Sequence, residues 1–272
     1  AQAHIAKKKE NPTMVIQVVS DPINTVYDGQ ESQLFSQMRD AGIQVTMTNL
    51  PTLRDSNPVI SSVWRVFVYP LDTLHKIVFG KPYTVRLLPN LVNAGGEKVT
   101  LRSHLTLLNF KANHRKLIVV DEEIDGAITL TSLVTSANPH DGSSAHSNIA
   151  LKIKGPLAYD LLMSEARVIT MAGDIFKPPS LPQLQQEQGE VYVQVVTDKA
   201  IRDTAVDMIH ATEKGDTVDL LMFYLAERNI LKELIDASLR EVSVRLIMDP
   251  NKDAFGREKN GIPNREVADY LI

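Results

Sequence analysis

The sequence predicts an α/β protein with a mixed, largely parallel sheet flanked by helices, because strand patterns alternate with helical patterns along its 272 residues. Residues 14–20 and 43–50 are apolar strand patterns. Residues 31–41, which separate them, have helical spacing, and Gly42 supplies the stop. Since strand, helix and strand follow one another closely, we expect parallel pairing in this part of the chain.

The composition is that of an ordinary globular protein and excludes several kinds of site. The chain is 43% hydrophobic and 23% charged, which allows one large core or two smaller ones. It contains no cysteine, so thiolate metal sites, thiol nucleophiles and disulfides are excluded. The net charge of -4 gives no overall attraction to nucleic acid, although a local basic patch can still bind phosphates.

The first ten residues resemble the last turns of a helix, with three lysines at its carboxyl end. They contain neither the apolar core of a signal peptide nor a membrane-spanning stretch. A cytoplasmic location and a peripheral association with a membrane are therefore the alternatives that this sequence leaves open.

Residues 57–79 are the most apolar part of the chain. Charged side chains such as Arg65 and Lys76 interrupt the segment and Pro70 breaks it, so a spanning helix is not expected. We expect a pair of helices packed on the core. A surface that faces lipid is the alternative.

The polar segment 177–190, which begins with a proline-rich run, is the clearest linker in the chain. It predicts two similar halves, 1–188 and 189–272. After the linker, strand patterns at 191–196, 218–224 and 242–248 alternate with helical patterns at 201–212 and 227–239. An Asp-Pro pair follows a strand pattern in both halves, which indicates an internal repeat. The second half is incomplete, since it stops within a helix, and the chain is expected to be part of a longer protein.

The stretch from His114 to Asp121 carries the residues best suited to chemistry. His114 and Lys116 are two residues apart, and an extended backbone would place both side chains on one face. A histidine can be a nucleophile or proton carrier near neutral pH, and a lysine can hold a phosphate oxygen. Ser136 and Asn138, again two apart, can add a hydroxyl and an amide as donors to the same anion.

This pattern of His-x-Lys, four residues, Asp121 and a later Ser-x-Asn resembles the HKD signature of the phospholipase D superfamily. The first part matches without gaps. The Ser-x-Asn part is displaced, because thirteen residues separate Asp121 from Thr135 where the family usually has about half as many. A turn at Asp125-Gly126 would let a longer hairpin absorb the extra residues and return Ser136 to the site.

The resemblance implies an active site built from two HKD motifs, in which one histidine attacks phosphorus and the other protonates the leaving alcohol. It implies that His114 is the nucleophile, although the opposite assignment is also open, and that Lys116, Ser136 and Asn138 bind the phosphate oxygens. Asp121 would support the fold around the site. No metal or other cofactor is implied, and His140 and His146 match no zinc spacing.

The expected function is that of a phospholipase D-like phosphodiesterase or phosphatidyltransferase acting on a phospholipid, with water or an alcohol as acceptor. One alternative is a nuclease of the same superfamily, which the acidic net charge disfavours. Another is an inactive phosphate-binding half. Since this sequence contains one His-x-Lys motif, the second would come from missing sequence or from a partner chain, and the internal repeat favours missing sequence.

Overall fold

The computed structural model describes residues 1–27, 32–53, 58–80, 86–90, 96–109, 111–124, 126–139, 143, 147–179, 191–251, 253–254, 257–258 and 260–272. The chain divides into two compact units, Ala1–Tyr192 and Val193–Ile272. The boundary predicted near residue 188, and most of the predicted linker, lie outside the described residues.

The first unit opens with a parallel strand pair joined by a helix. Its elements are α1 (Gln2–Glu10), β1 (Gln17–Ser20), α2 (Gln33–Asp40) and β2 (Gln44–Met47), and Gln17 lies opposite Gln44. The Ser32 hydroxyl accepts a hydrogen bond from the backbone N–H of Phe35 at the start of α2. Gly42 ends the turn after α2 with φ +79°, which is easily adopted by glycine. Met38 and Ile43 are buried between these elements.

A continuous helical segment follows, made of α3 (Pro58–Val63), a π-helical turn (Trp64–Val68) and α4 (Tyr69–Phe79). Pro70 lies in the first turn of α4 and has no N–H to donate into the preceding turn, where the backbone widens to the π form. The expectation that this segment packs on the core is wrong for its described side chains. Val59 is 74% exposed and Ile77 is 74% exposed.

Short elements connect this segment to the predicted site. Strand β3 (Arg86–Leu88) pairs antiparallel with β4 (Val99–Thr100), and α5 (Leu101–Asn109) follows directly. The hydroxyl of Thr100 accepts a hydrogen bond of 3.1 Å from the backbone N–H of Ser103, which satisfies a free donor in the first turn of α5.

The site is framed by an antiparallel sheet of three strands, β5 (Leu117–Ile124), β6 (Ala127–Thr135) and β7 (Ala150–Lys154). Ile124 lies opposite Ala127, and Gly126 has φ +79°, so the hairpin turns where the sequence predicts it. Asp125 itself is outside the described residues. Helix α6 (Pro156–Met171) packs against this sheet and buries Ala158 and Leu161.

The second unit again contains a parallel strand pair. Its elements are α7 (Lys199–His210), β8 (Thr217–Met222), α8 (Arg228–Leu239), β9 (Ser243–Met248), β10 (Asp253–Ala254), β11 (Arg257–Glu258) and α9 (Asn264–Leu271). The buried side chains of Leu231, Leu234 and Val242 form its core together with Ile209 and Val267. The strand predicted at 191–196 is wrong, because these residues form no strand and Tyr192 is 89% exposed.

The prediction of a mixed α/β protein is confirmed, but that of a largely parallel sheet is not. Among the described strands two pairings are parallel and four are antiparallel. A tight hairpin such as that between β5 and β6 can join only antiparallel strands. The two Asp-Pro pairs follow strands that occupy different positions. Along the chain, β1 is the first strand of its parallel pair, whereas β9 is the second strand of its pair.

Across the described parts of the chain, no helix reaches both the length and the apolar character that crossing a membrane requires.

Candidate functional site

His114 and Lys116 lie in the loop 111–116, between α5 and β5. The loop has no regular strand hydrogen bonding, so the two side chains are not placed by a shared strand face. The Lys116 ammonium donates a hydrogen bond of 3.0 Å to the backbone carbonyl of His114. Lys116 is therefore held against the histidine residue that it was predicted to assist.

The environment of His114 favours its neutral form. The side chain is exposed, but neighbouring atoms still remove part of its water, and this desolvation lowers its pKa below the ordinary 6.5. The positive charge of Lys116 lowers the pKa of His114 further, while the carboxylate of Asp21 opposes the shift. Desolvation also lowers the pKa of Lys116. The His114 imidazole is therefore mainly neutral at pH 7, and a neutral imidazole is the nucleophilic form.

Asp21 is a site residue that sequence analysis missed. It is only 6% exposed, and its carboxylate accepts hydrogen bonds from the backbone N–H groups of Asn113 and Ile23, the latter at 2.9 Å. Burial raises the pKa of Asp21, and the two backbone donors act in the opposite direction. The signal in the sequence is the Asp-Pro pair at the end of β1, since an aspartate at such a turn directs its carboxylate at nearby backbone donors.

Residues that follow β1 and β2 fix the loop. The Asn113 side chain donates to the Thr48 hydroxyl at 3.2 Å, and its oxygen accepts a hydrogen bond of 3.3 Å from the backbone N–H of Arg115. The hydroxyl of Tyr27 donates to the backbone carbonyl of Lys111 at 3.3 Å. Burial, together with the nearby Asp21 charge, raises the pKa of Tyr27 to about 12. The first half of the loop is thus tied to residues that follow the two parallel strands.

Arg115, between the two predicted site residues, binds protein groups on α6. Its guanidinium donates to the Ser164 hydroxyl at 3.1 Å and lies 3.5 Å from a carboxylate oxygen of Glu165. Burial raises the pKa of Glu165, and the charge of Arg115 acts against this shift. Arg115 therefore joins the loop to α6.

Asp121 lies in β5 opposite Leu130 of β6, and its side chain is exposed. Within the described residues, no hydrogen bond joins Asp121 to His114 or Lys116. The supporting role of Asp121 stays a prediction.

The hairpin brings the Ser-x-Asn residues back towards the loop. The backbone N–H of Thr135 donates to the carbonyl of Lys116 at 3.0 Å, so Ser136 follows directly after the residue paired with Lys116. The hydroxyl of Ser136 donates to Asn148 at 3.1 Å and accepts from the backbone N–H of Ile149 at 3.0 Å.

Asn138 belongs to the loop between β6 and β7. Its backbone N–H donates to the Ser143 hydroxyl at 2.9 Å. In the portion of the chain that is described, neither Asn138 nor Ser136 forms a hydrogen bond with the side chains of His114 or Lys116. His140 and His146 also belong to this loop, but they lie outside the described residues.

The second unit has a cavity at the carboxyl end of β9. Its volume is about 540 Å³, and Asp249, Asn260 and Arg265 contribute to its lining. The buried Asn264 side chain supports one wall, because its amide nitrogen donates to the carbonyls of Phe223 and Asp249 at 2.8 Å each. The lining therefore includes one cationic and one acidic residue, Arg265 and Asp249.

Comparisons with known proteins identify the second unit. Residues 205–271, from α7 to α9, match the family model described as cardiolipin synthase, PLD-like domain. Neither the curated proteins nor the solved structures contain a match. The matched region does not include His114, whose resemblance to the HKD signature rests on the spacing of its own residues. The match covers residues 205–271 and supports an assignment to the phospholipase D superfamily.

Proposed function

We propose that this chain is part of a phosphodiesterase or phosphatidyltransferase that cleaves a phospholipid diester, with His114 as the nucleophile. The observation that carries the proposal is a histidine whose pKa is lowered, in a loop fixed by the buried carboxylate of Asp21 and beside a lysine. The family match supports phosphodiester chemistry in general. The lipid substrate and the covalent route are the proposed parts.

In the first step a neutral ring nitrogen of His114 attacks phosphorus. A bond forms between nitrogen and phosphorus, and the bond from phosphorus to the leaving alcohol breaks. The leaving oxygen takes a proton from a general acid. In the second step water or an alcohol attacks phosphorus, loses its proton to the conjugate base of that acid, and releases His114.

Lys116 is proposed to stabilise the charge that builds up on the phosphate oxygens during both steps. For this the ammonium has to exchange its bond with the His114 carbonyl for one with the substrate. Ser136 and Asn138 are proposed as further donors. The Ser136 hydroxyl donates to Asn148, so it has to exchange this bond for one with the bound phosphate.

The general acid is proposed to come from a second HKD motif, because one imidazole cannot be nucleophile and acid in the same step. None of the seven histidines in this sequence other than His114 is followed two residues later by lysine. The second motif would be supplied by further sequence of the same protein or by a partner chain.

An activated substrate tests the nucleophile without the second motif. A phosphodiester with a p-nitrophenol leaving group needs little protonation as it departs, so His114 alone should suffice for the first step. We expect p-nitrophenol release and a mass adduct on the peptide that contains His114. The His114→Ala variant should release it at least about a thousandfold more slowly, whereas His4→Ala, the same change on α1, should behave as the unaltered chain.

Unchanged release in His114→Ala, or the absence of any adduct, would overturn the proposal. Binding of a phosphodiester without an adduct would instead favour the phosphate-binding half. The substrate class is tested with the protein that contains both motifs, using short-chain phosphatidylglycerol in detergent beside DNA and RNA. Turnover of nucleic acid but not lipid would favour the nuclease.

A further inference from the structure

The helical segment 58–79 exposes an unusual number of large apolar side chains. Ten large hydrophobic side chains of its described residues are exposed, including those of Phe67, Leu71 and Phe79. Single exposed apolar side chains are ordinary, but a contiguous group of this size marks a surface that contacts lipid or protein.

Three of the apolar side chains of α4 lie on one face. Leu71, Leu74 and Val78 are spaced by three and four residues, which aligns them along the helix. The polar residues Thr73 and Lys76 lie on the opposite side of the helix by the same geometry. Leu74 is 57% exposed and Val78 is 60% exposed, so the apolar face is open.

The charges on and near this segment are mainly positive. Arg65 and Lys76 are exposed on it, against one acidic residue, Asp72, in the sequence from 58 to 79. Helix α3 also packs against α5, which begins a stretch, 101–116, with six basic residues and no acidic one. Within that stretch Lys111 is buried and Arg115 is paired with Glu165, so the positive charge of the proposed surface is that of Arg65 and Lys76.

A negatively charged lipid surface fits this arrangement better than a second copy of the chain. A symmetric dimer through this face would place the same positively charged surface on both sides of the interface. Anionic headgroups would instead neutralise the lysine and arginine, while the apolar side chains enter the boundary of the acyl chains.

We propose that the segment 58–79 is an interfacial membrane-binding element, which lies in the plane of an anionic phospholipid surface with Leu71, Leu74 and Val78 towards the acyl chains. This inference goes beyond the proposed reaction and does not depend on it. If both hold, the element brings the loop of His114 to a membrane that contains its substrate.

Vesicle binding tests the proposal, and Trp64, the single tryptophan of the sequence, reports on the segment itself. We expect the chain to sediment with vesicles of phosphatidylcholine and phosphatidylglycerol, and more weakly with phosphatidylcholine alone. Trp64 emission should shift to the blue on binding and be quenched by brominated acyl chains. Added salt should weaken the binding.

The matched variants replace exposed leucine and valine by glutamine. The double variant Leu74→Gln, Val78→Gln should bind the anionic vesicles at least roughly tenfold more weakly than the unaltered chain. Leu239→Gln, at a residue of α8 that is 78% exposed, is the control and should bind normally. Circular dichroism should show equal helix content in all three proteins.

Absence of vesicle binding, or unchanged binding by the double variant, would overturn the inference. Self-association that the double variant abolishes, without vesicle binding, would assign the face to a second copy and also overturn it. The His114→Ala variant should bind vesicles normally. Its binding therefore separates a failure of the membrane element from a failure of the proposed reaction.

Discussion

The carboxylate of Asp21 accepts a hydrogen bond from the backbone N–H of Asn113, a residue 92 positions later in the chain. Asp21 stands at the end of β1, and Asn113 directly precedes His114. This contact fixes the backbone beside the proposed nucleophile. It also places a buried negative charge where it acts on the titration of the His114 imidazole.

The titration of His114 should respond in opposite directions to its two charged neighbours. In the unaltered chain its pKa lies below 6.5. Asp21→Asn removes the charge that raises this pKa, so the pKa should fall further. Lys116→Met removes a charge that lowers it, so the pKa should rise. Nuclear magnetic resonance titration of the histidine ring protons measures both shifts.

The pH dependence of catalysis should shift in the same directions as the pKa of His114. If neutral His114 is the nucleophile, release of p-nitrophenol should fall as the pH decreases through the lowered pKa of His114. That acid limb should move to lower pH in Asp21→Asn and to higher pH in Lys116→Met. Shifts of both variants in one direction would contradict the assignment of these charges.

Removal of the Asp21 side chain should destabilise the first unit. Asp21→Ala leaves the backbone N–H groups of Asn113 and Ile23 without their acceptor, and the expected loss is about 1–3 kcal/mol in the free energy of unfolding. Urea denaturation followed by circular dichroism measures it.

Asp249→Ala is the matched control. Asp249 accepts a hydrogen bond of 2.7 Å from the backbone N–H of Asn251, which closes a comparable turn in the second unit. It should leave the His114 titration unchanged, whereas Asp21→Ala should shift it. Equal titrations in the two variants would mean that Asp21 has no part in the site.

The hairpin between β5 and β6 should depend on Gly126. Its φ of +79° is unfavourable for residues with a Cβ, so Gly126→Ala should cost about 1 kcal/mol. Apart from its two chain neighbours, no atom of the described residues lies within 4 Å of the position of the added Cβ, so the cost is conformational and not steric crowding. Denaturation midpoints measure the loss, and Ala127→Ser at the neighbouring exposed residue should change stability little. If Gly126→Ala left the stability unchanged or raised it, the positive φ of Gly126 in this turn would be contradicted.

Two leucines of α8 should differ strongly in their effect on the second unit. Leu234 is 2% exposed and belongs to its core, so Leu234→Ala should lose about 2–5 kcal/mol. Leu239 is 78% exposed, and Leu239→Ala should stay within about 0.5 kcal/mol of the unaltered chain. Chemical denaturation compares the two, and similar losses would contradict the placement of α8.

Local patterns predicted much of the secondary structure. The spacing of residues 31–41 and the stop at Gly42 predicted α2, and Asp125-Gly126 predicted the turn that lengthens the hairpin. These predictions succeed because helix periodicity and turn chemistry are properties of neighbouring residues. The strand at 191–196 failed, since a strand exists only where another strand pairs with it.

The candidate site was predicted only in part. The spacing of His114, Lys116 and Asp121 indicated the phospholipase D superfamily, which the match of residues 205–271 confirms. Asp21 was missed because its relation to His114 crosses a large sequence separation. The described side chains of 58–79 were expected to be buried and are mostly exposed, because apolar composition is the same for a core helix and for an exposed apolar surface.

By itself, the sequence determined the α/β class, the resemblance to the phospholipase D superfamily and the residue types available to bind a phosphate. Tertiary structure alone decided which carboxylate faces His114, that Lys116 bonds to the His114 carbonyl, and that the apolar face of α4 is open. The physical reason is distance along the chain. Helices, turns and motifs depend on residues a few positions apart, whereas charge coupling, desolvation and exposure depend on what folding brings together.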